Sequence, residues 1–107
     1  MSEWIDVISV DDLEPDDVTM VEVGNRQLAI YDASDSLYAT QALCSHAGAR
    51  LCDGYFEGHI VECPLHQGGF DIRDGRALYP PATRNLRVYP VKVVDGRVLV
   101  KVYPSVA

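Results

Sequence analysis

The sequence predicts an all-β domain, and three observations carry that prediction. Short runs rich in β-branched and aromatic residues recur at both ends of the chain. Turn-forming pairs, notably Gly24-Asn25, Ser34-Asp35 and Asp95-Gly96, separate them. The one helical candidate, Asp11-Asp12-Leu13-Glu14, is cut short by Pro15 and offers a cap and one turn at most.

Taken in order, the first four strands are expected at Trp4-Ile5-Asp6-Val7, Thr19–Val23, Gln27–Tyr31 and Leu37–Thr40. The last third repeats the pattern at Leu86–Tyr89, Val91–Val94 and Val98–Val102. Asp95-Gly96 between the final two runs signals a tight hairpin, because such a turn needs positive φ angles. Residues 43–82 read differently: Gly and Pro are frequent, periodicity is weak, and every Cys and His of the protein falls there. The simplest organisation is a single domain over 1–107, with a base built by 1–42 and 83–107 and a loop-rich insert over 43–82 carrying the chemistry.

A chain of 107 residues is long enough for one domain and too short for two. Its 48% hydrophobic fraction supports a real core, which argues against disorder. No apolar run approaches the roughly 18–20 residues of a membrane helix. The start, Met1-Ser2-Glu3-Trp4-Ile5-Asp6, has neither a basic end nor an apolar stretch, so no secretory signal and a cytoplasmic location are expected.

The net charge of −7 is unevenly spread. Residues 1–36 hold ten acids against Arg26 alone, giving −9, and the remainder holds six acids and eight bases, giving +2. Phosphate backbones repel such a chain, so a nucleic-acid partner is not expected. A partner with a basic docking face is the natural complement. The plainer reading is that the acids keep a small protein soluble.

Three cysteines cannot all pair, and a cytoplasmic chain seldom uses disulfides. Cys44-Ser45-His46 and Cys63-Pro64-Leu65-His66 instead place a thiol and an imidazole two or three residues apart, twice, in separate loops. Two thiols and two imidazoles at matched short spacings make a four-ligand metal site. Structural zinc usually groups Cys with Cys and His with His. Loops that each mix one Cys and one His suit a two-iron cluster in which the two types go to different irons. Cys52 and His59 stand outside this pattern and read as structural residues.

The stretch Cys44-Ser45-His46-Ala47-Gly48 … Cys63-Pro64-Leu65-His66-Gln67-Gly68-Gly69-Phe70-Asp71 resembles the Rieske signature. More narrowly, the chain is similar to the Rieske ferredoxins of bacterial aromatic-ring-hydroxylating dioxygenase systems, a likeness that runs through Gly54–Gly58, Tyr79-Pro80-Pro81 and Tyr89-Pro90-Val91. The resemblance implies the Rieske fold, an antiparallel β-sandwich or barrel-like base with a cluster-binding subdomain. It implies one 2Fe–2S cluster, with Cys44 and Cys63 on one iron and His46 and His66 on the other. Backbone amides around Ala47-Gly48 and Gln67-Gly68 would face the sulfurs, and Pro80-Pro81 would cover the cluster.

High-potential respiratory members of this family carry three features that the chain lacks. Ala49 and Leu65 stand where they have a disulfide, Gly68 where a serine donates to a bridging sulfide, and Phe70 where a tyrosine donates to a cysteine sulfur. Each missing donor leaves the reduced state less stabilised, so the low end of the Rieske range is expected. The resemblance thus implies no catalysis of its own. It implies a monomeric one-electron carrier that binds transiently to an NAD(P)H-dependent flavin reductase, its ferredoxin reductase, and to a terminal oxygenase. A small Rieske subunit of another redox enzyme, such as nitrite reductase, and a zinc-stabilised interaction module are the competing readings.

Overall fold

The computed structural model describes residues 3–44, 49–64, 68–80 and 84–102. Eleven strands and two short 3-10 turns form among the described residues, and no α-helix does. The strands are β1 (Glu3–Ser9), β2 (Val18–Val23), β3 (Arg26–Asp32), β4 (Leu37–Gln41), β5 (Tyr55–Glu57), β6 (Ile60–Glu62), β7 (Gly69–Asp71), β8 (Ala77–Tyr79), β9 (Val88–Tyr89), β10 (Val91–Val94) and β11 (Arg97–Val102). They build three antiparallel sheets, ordered β1-β11-β10, β2-β3-β4-β9 and β5-β6-β7-β8. No helix among the described residues is long and apolar enough to cross a membrane.

The turns form for the reasons the residues suggest. Asp95 and Gly96 both have positive φ, 51° and 78°, as a two-residue type I′ hairpin requires. The β2–β3 turn has positive φ at Gly24 alone, the pattern of a type II′ turn. The candidate helix shrinks to a 3-10 turn over Val10–Asp12, where the Ser9 side chain accepts from the Asp11 N–H at 3.2 Å.

β3 is the centre of the fold. Leu28 and Ile30 point into a core shared with Val98, Val100 and Val102 of β11, which joins the first two sheets. Ala29 and Tyr31 point the other way, into a core with Leu51, Val61, Phe70, Ile72 and Leu86, which joins the second sheet to the third. All four β3 residues are 0–1% exposed, so the strand reads as a continuous apolar run instead of an alternation. In the second core the Tyr31 hydroxyl meets the Thr40 hydroxyl at 2.8 Å, and Thr40 donates onward to the Gln41 carbonyl. Burial therefore costs no unpaired polar group there.

The expected loop-rich insert is more regular than its sequence suggests. Four three-residue strands make the third sheet, over a stretch whose Gly, Pro and weak periodicity suggest loop. Leu86–Tyr89 shrinks to the two-residue β9, because Leu86 turns into the core below the third sheet while only Val88 and Tyr89 pair with β4. Its seam with the second sheet is polar on one side. His59, in the β5–β6 turn, meets Asp35 Oδ1 at 2.9 Å, and the Tyr38 hydroxyl donates to Asp35 Oδ2 at 3.0 Å. The Tyr38 and His59 rings stand edge to face, 5.7 Å apart.

Two predictions follow from this packing. Ile30→Ala removes a fully buried side chain and is expected to cost about 2–5 kcal/mol in urea unfolding, whereas Val93→Ala, at a half-exposed position, should stay within about 0.5 kcal/mol. The hydrogen bond from His59, with that from Tyr38, holds the Asp35 carboxyl below the usual carboxylate range. Its contribution to stability is therefore present above the ordinary carboxylate pKa and is lost as pH falls through the lowered one. Carboxyl-carbon NMR should find the Asp35 midpoint depressed in the native chain and moved back up in His59→Ala.

Candidate metal centre

The two candidate thiols are brought together. Cys44 and Cys63 lie in the same core, beneath the third sheet, at 3% and 1% exposure. No disulfide joins any of the three cysteines. A buried thiol with no disulfide can be plain apolar filling, but the backbone around these two has a common design.

The first loop opens after an antiparallel bridge between Leu43 and Arg50, and the Cys44 N–H donates to the Ala49 carbonyl at 2.7 Å. The second opens after the Glu62–Gly69 pair of β6 and β7, and the Cys63 N–H donates to the Gly68 carbonyl at 2.9 Å. Each cysteine thus closes its own loop by bonding the residue five positions on. Each loop connects two residues seven apart in sequence, and a histidine falls inside each. His46 and His66 themselves lie outside the described residues, as do Ala47, Gly48, Leu65, Gln67 and Pro81. Among the described residues no group of three metal-ligating side chains converges.

The loops are braced from below. The Gln41 side chain donates to the Leu43 carbonyl at 2.9 Å and accepts from the Arg87 N–H at 2.7 Å, tying the first loop to the chain entering β9. Leu51 N–H donates to the Ala42 carbonyl at 2.8 Å and closes the same turn. Under the second loop, the Tyr79 ring lies where a side chain on Gly69 would be, so Gly69 allows the close approach. The Tyr79 hydroxyl donates to Glu62 at 2.7 Å, and that carboxylate pushes its pKa up to about 12. Pro80 leaves the third sheet from this anchored tyrosine. Sequence reasoning missed both Gln41 and Tyr79 as supports. Only the placing of Tyr79 beside Pro80-Pro81 hinted at one of them.

Cys52 and His59, read from the sequence as structural residues, have partners of their own. Cys52 is partly exposed, with its thiol 3.9 Å from an Asp53 oxygen, and desolvation and that carboxylate raise its pKa. His59 belongs to the seam with Asp35.

The donor chemistry fits an iron–sulfur group. Two thiols share an apolar setting, and Phe70, fully buried in the same core, offers no hydroxyl to either.

The family of the Rieske [2Fe-2S] domain matches residues 3–90 of the chain. The ferredoxin component of the naphthalene 1,2-dioxygenase/salicylate 5-hydroxylase systems of a Ralstonia species is 45% identical over 98 residues, covering 92% of this chain and 94% of that protein. The ferredoxin of carbazole 1,9a-dioxygenase from Nocardioides aromaticivorans IC177 superposes with a TM-score of 0.86 at 36% identity, over 91% of this chain and 95% of that one. A chain in the complex of reduced oxygenase and oxidised ferredoxin in carbazole 1,9a-dioxygenase superposes with a TM-score of 0.84 at 37% identity, with 91% of each covered. Likeness this deep, along nearly the whole length, means that the chain belongs to the Rieske [2Fe-2S] family, among the ferredoxins of aromatic dioxygenase systems.

Proposed function

We propose that this chain is a cytoplasmic, monomeric carrier that takes one electron from an NAD(P)H-dependent flavin reductase and passes it to a terminal ring-hydroxylating oxygenase. The observation that carries the reading is the pair of buried thiols, each at the mouth of a loop closed by the same backbone bond. The ligands in this reading are Cys44 and Cys63 for one iron and His46 and His66 for the other. Residues 43–82 form the cluster-binding subdomain on a base of 1–42 and 83–107, a division supported by a third sheet whose strands pair only with one another.

When bound, the cluster supplies a site that gains and loses a single electron. The chain's own residues do the rest. The cysteine amides fix the loop mouths, and Gln41 and Tyr79 hold the two loops to the strands beneath. Rigid support of this kind keeps ligand positions alike in both oxidation states. The bed below contains Phe70, Leu51 and Val61, which exclude water from the thiol side. Neither a catalytic base nor an enclosed apolar cavity enters the reading, so the aromatic substrate belongs to the oxygenase.

The alternative, a small Rieske subunit of another redox enzyme such as nitrite reductase, has less behind it, since the 45% identity lies with a dioxygenase ferredoxin component. Copurification with a large subunit in fixed ratio would revive it. The zinc module is opposed by the family match.

Purified protein is expected to be brown and to contain two irons and two acid-labile sulfides per chain, as a 2Fe–2S group requires. His46→Ala and His66→Ala should each lose the cluster's visible absorption, and native-like iron binding in either variant would remove that histidine from the ligand set. A potentiometric titration should place the midpoint near the lower end of a scale running from roughly −150 to +300 mV. Product formation by purified reductase and oxygenase should depend on added carrier, and equal rates without it would defeat the proposal.

A further inference from the structure

The two ends of the second sheet differ in charge. Asp16, Asp17, Asp32 and Asp35 gather where β2 begins, β3 finishes and β4 begins, and the Asp32 N–H donates to the Asp17 carbonyl at 3.0 Å. Asp11, Asp12 and Glu14 sit on the segment leading into that end. At about 3.3 Å per residue, the length of β3 separates this acidic end from the other by about 20 Å. The acids that suggested a basic partner are thus concentrated away from the first ligand loop.

The opposite end, where β4 runs on through Leu43 to Cys44, is built differently. A groove of about 550 Å³ opens there between the β2–β3 turn and the chain entering β9, with Arg26, Asn25, Glu22, Leu43 and Arg87 among its walls. Its charged residues are two arginines against one glutamate, a balance of +1 in a chain of −7. Arg87 is exposed and makes no ion pair among the described residues. Leu43 is apolar yet 41% exposed, and it is the residue before Cys44.

We propose that this groove seats a carboxylate of the terminal oxygenase during electron transfer, with Leu43 as the apolar contact beside it. The proposal rests on the carrier reading given above. Charge complementarity selects the occupant, because an acidic side chain finds attraction here and repulsion at the far end. Continuity with the ligand loop selects the face. Electron-transfer encounters bury little, below about 1,200 Å² in total, so a footprint that covers the loops reaches only their immediate flank. Leu43 and Arg87 are that flank, linked through Gln41, which bonds the backbone of both. A small, half-polar contact of this kind also lets go quickly, as a shuttle must.

The test is steady-state product formation with the carrier's own purified oxygenase and reductase, varying the carrier at saturating reductase. Arg87→Glu leaves the backbone bonds to Gln41 in place and is expected to raise the carrier's KM about tenfold, with kcat little changed and the salt dependence of KM reversed. Leu43→Ala should raise KM by about threefold, while Asp16→Lys with Asp17→Lys should change it by less than about twofold. Iron and sulfide contents and the visible circular dichroism of each variant should match the native holoprotein. Two results would overturn the groove alone: native turnover with the KM of Arg87→Glu and Leu43→Ala unchanged, or an effect of these variants confined to reduction by the reductase. Native protein that supports no turnover at all would overturn the carrier reading, and the docking role with it.

Discussion

A strand with solvent on neither face has to satisfy two cores at once, and β3 is such a strand. Leu28 and Ile30 are committed to the side closed by β11, Ala29 and Tyr31 to the side closed by the third sheet. Period-two geometry leaves no freedom to slide, because a one-residue slip would exchange the two sets. The register of β3 with β2 and β4 is regular over their paired lengths, so the far side of the second sheet presents a fixed floor. That floor, with Tyr31 tilted against Phe56 at 5.3 Å, is what the cysteine loops rest on. Precision at the metal centre is therefore inherited from packing on both sides of one strand.

The centre adds a second requirement if Cys44 and Cys63 are the ligands proposed above, which is to bury thiols that would serve as thiolates. An unpaired charge in an apolar setting costs far more than any single contact returns, so in that role the pair would need a metal to share the charge. The protein meets the geometric part of that demand by repetition. Both loops connect residues seven apart and both are closed by the cysteine's own N–H, one opening from the isolated bridge of Leu43 with Arg50 and the other from the β6–β7 pair. Spending the cysteine amide on loop closure also spares the core an unsatisfied donor. Where crowding would forbid a side chain, glycine takes the place, as at Gly69 under the Tyr79 ring and at Gly54, whose missing side chain would strike the Glu62 carbonyl.

The long strands and their turns were legible in sequence because they follow local rules. The Asp95-Gly96 hairpin, the stop at Pro15 and the apolar runs of β3 and β11 each need only neighbouring residues to be understood. The third sheet was not legible, since strands of three residues carry too little alternation to register against a background of Gly and Pro. The supports of the centre were hidden for another reason. Tyr79 and Glu62 lie seventeen positions apart, His59 and Asp35 twenty-four, and nothing local marks either pair. Charge was legible only as a count: it shows an acidic first third, but only folding separates Asp16, Asp17, Asp32 and Asp35 from Arg26 at the other end of the same sheet. The four proposed ligands stand between these cases. Their pattern is visible in sequence, the two thiols share one core, and both imidazoles fall outside the described residues.

Three of the positions that depart from high-potential relatives, Phe70, Gly68 and Ala49, acquire a physical meaning from this packing. Phe70 is fully buried in the core that holds both thiols, and it has no hydroxyl to donate. Gly68 is buried as well, its carbonyl is engaged by the Cys63 amide, and it has no side-chain hydroxyl to bring. Ala49 packs against the same core and closes the first loop through its carbonyl, a role that asks nothing of its side chain. Ala49 and Gly68 thus serve through their backbone carbonyls alone. With the ligands proposed above, a cluster here would sit on a less donating bed, which would hold an added negative charge more weakly and so fit the low potential expected of this carrier.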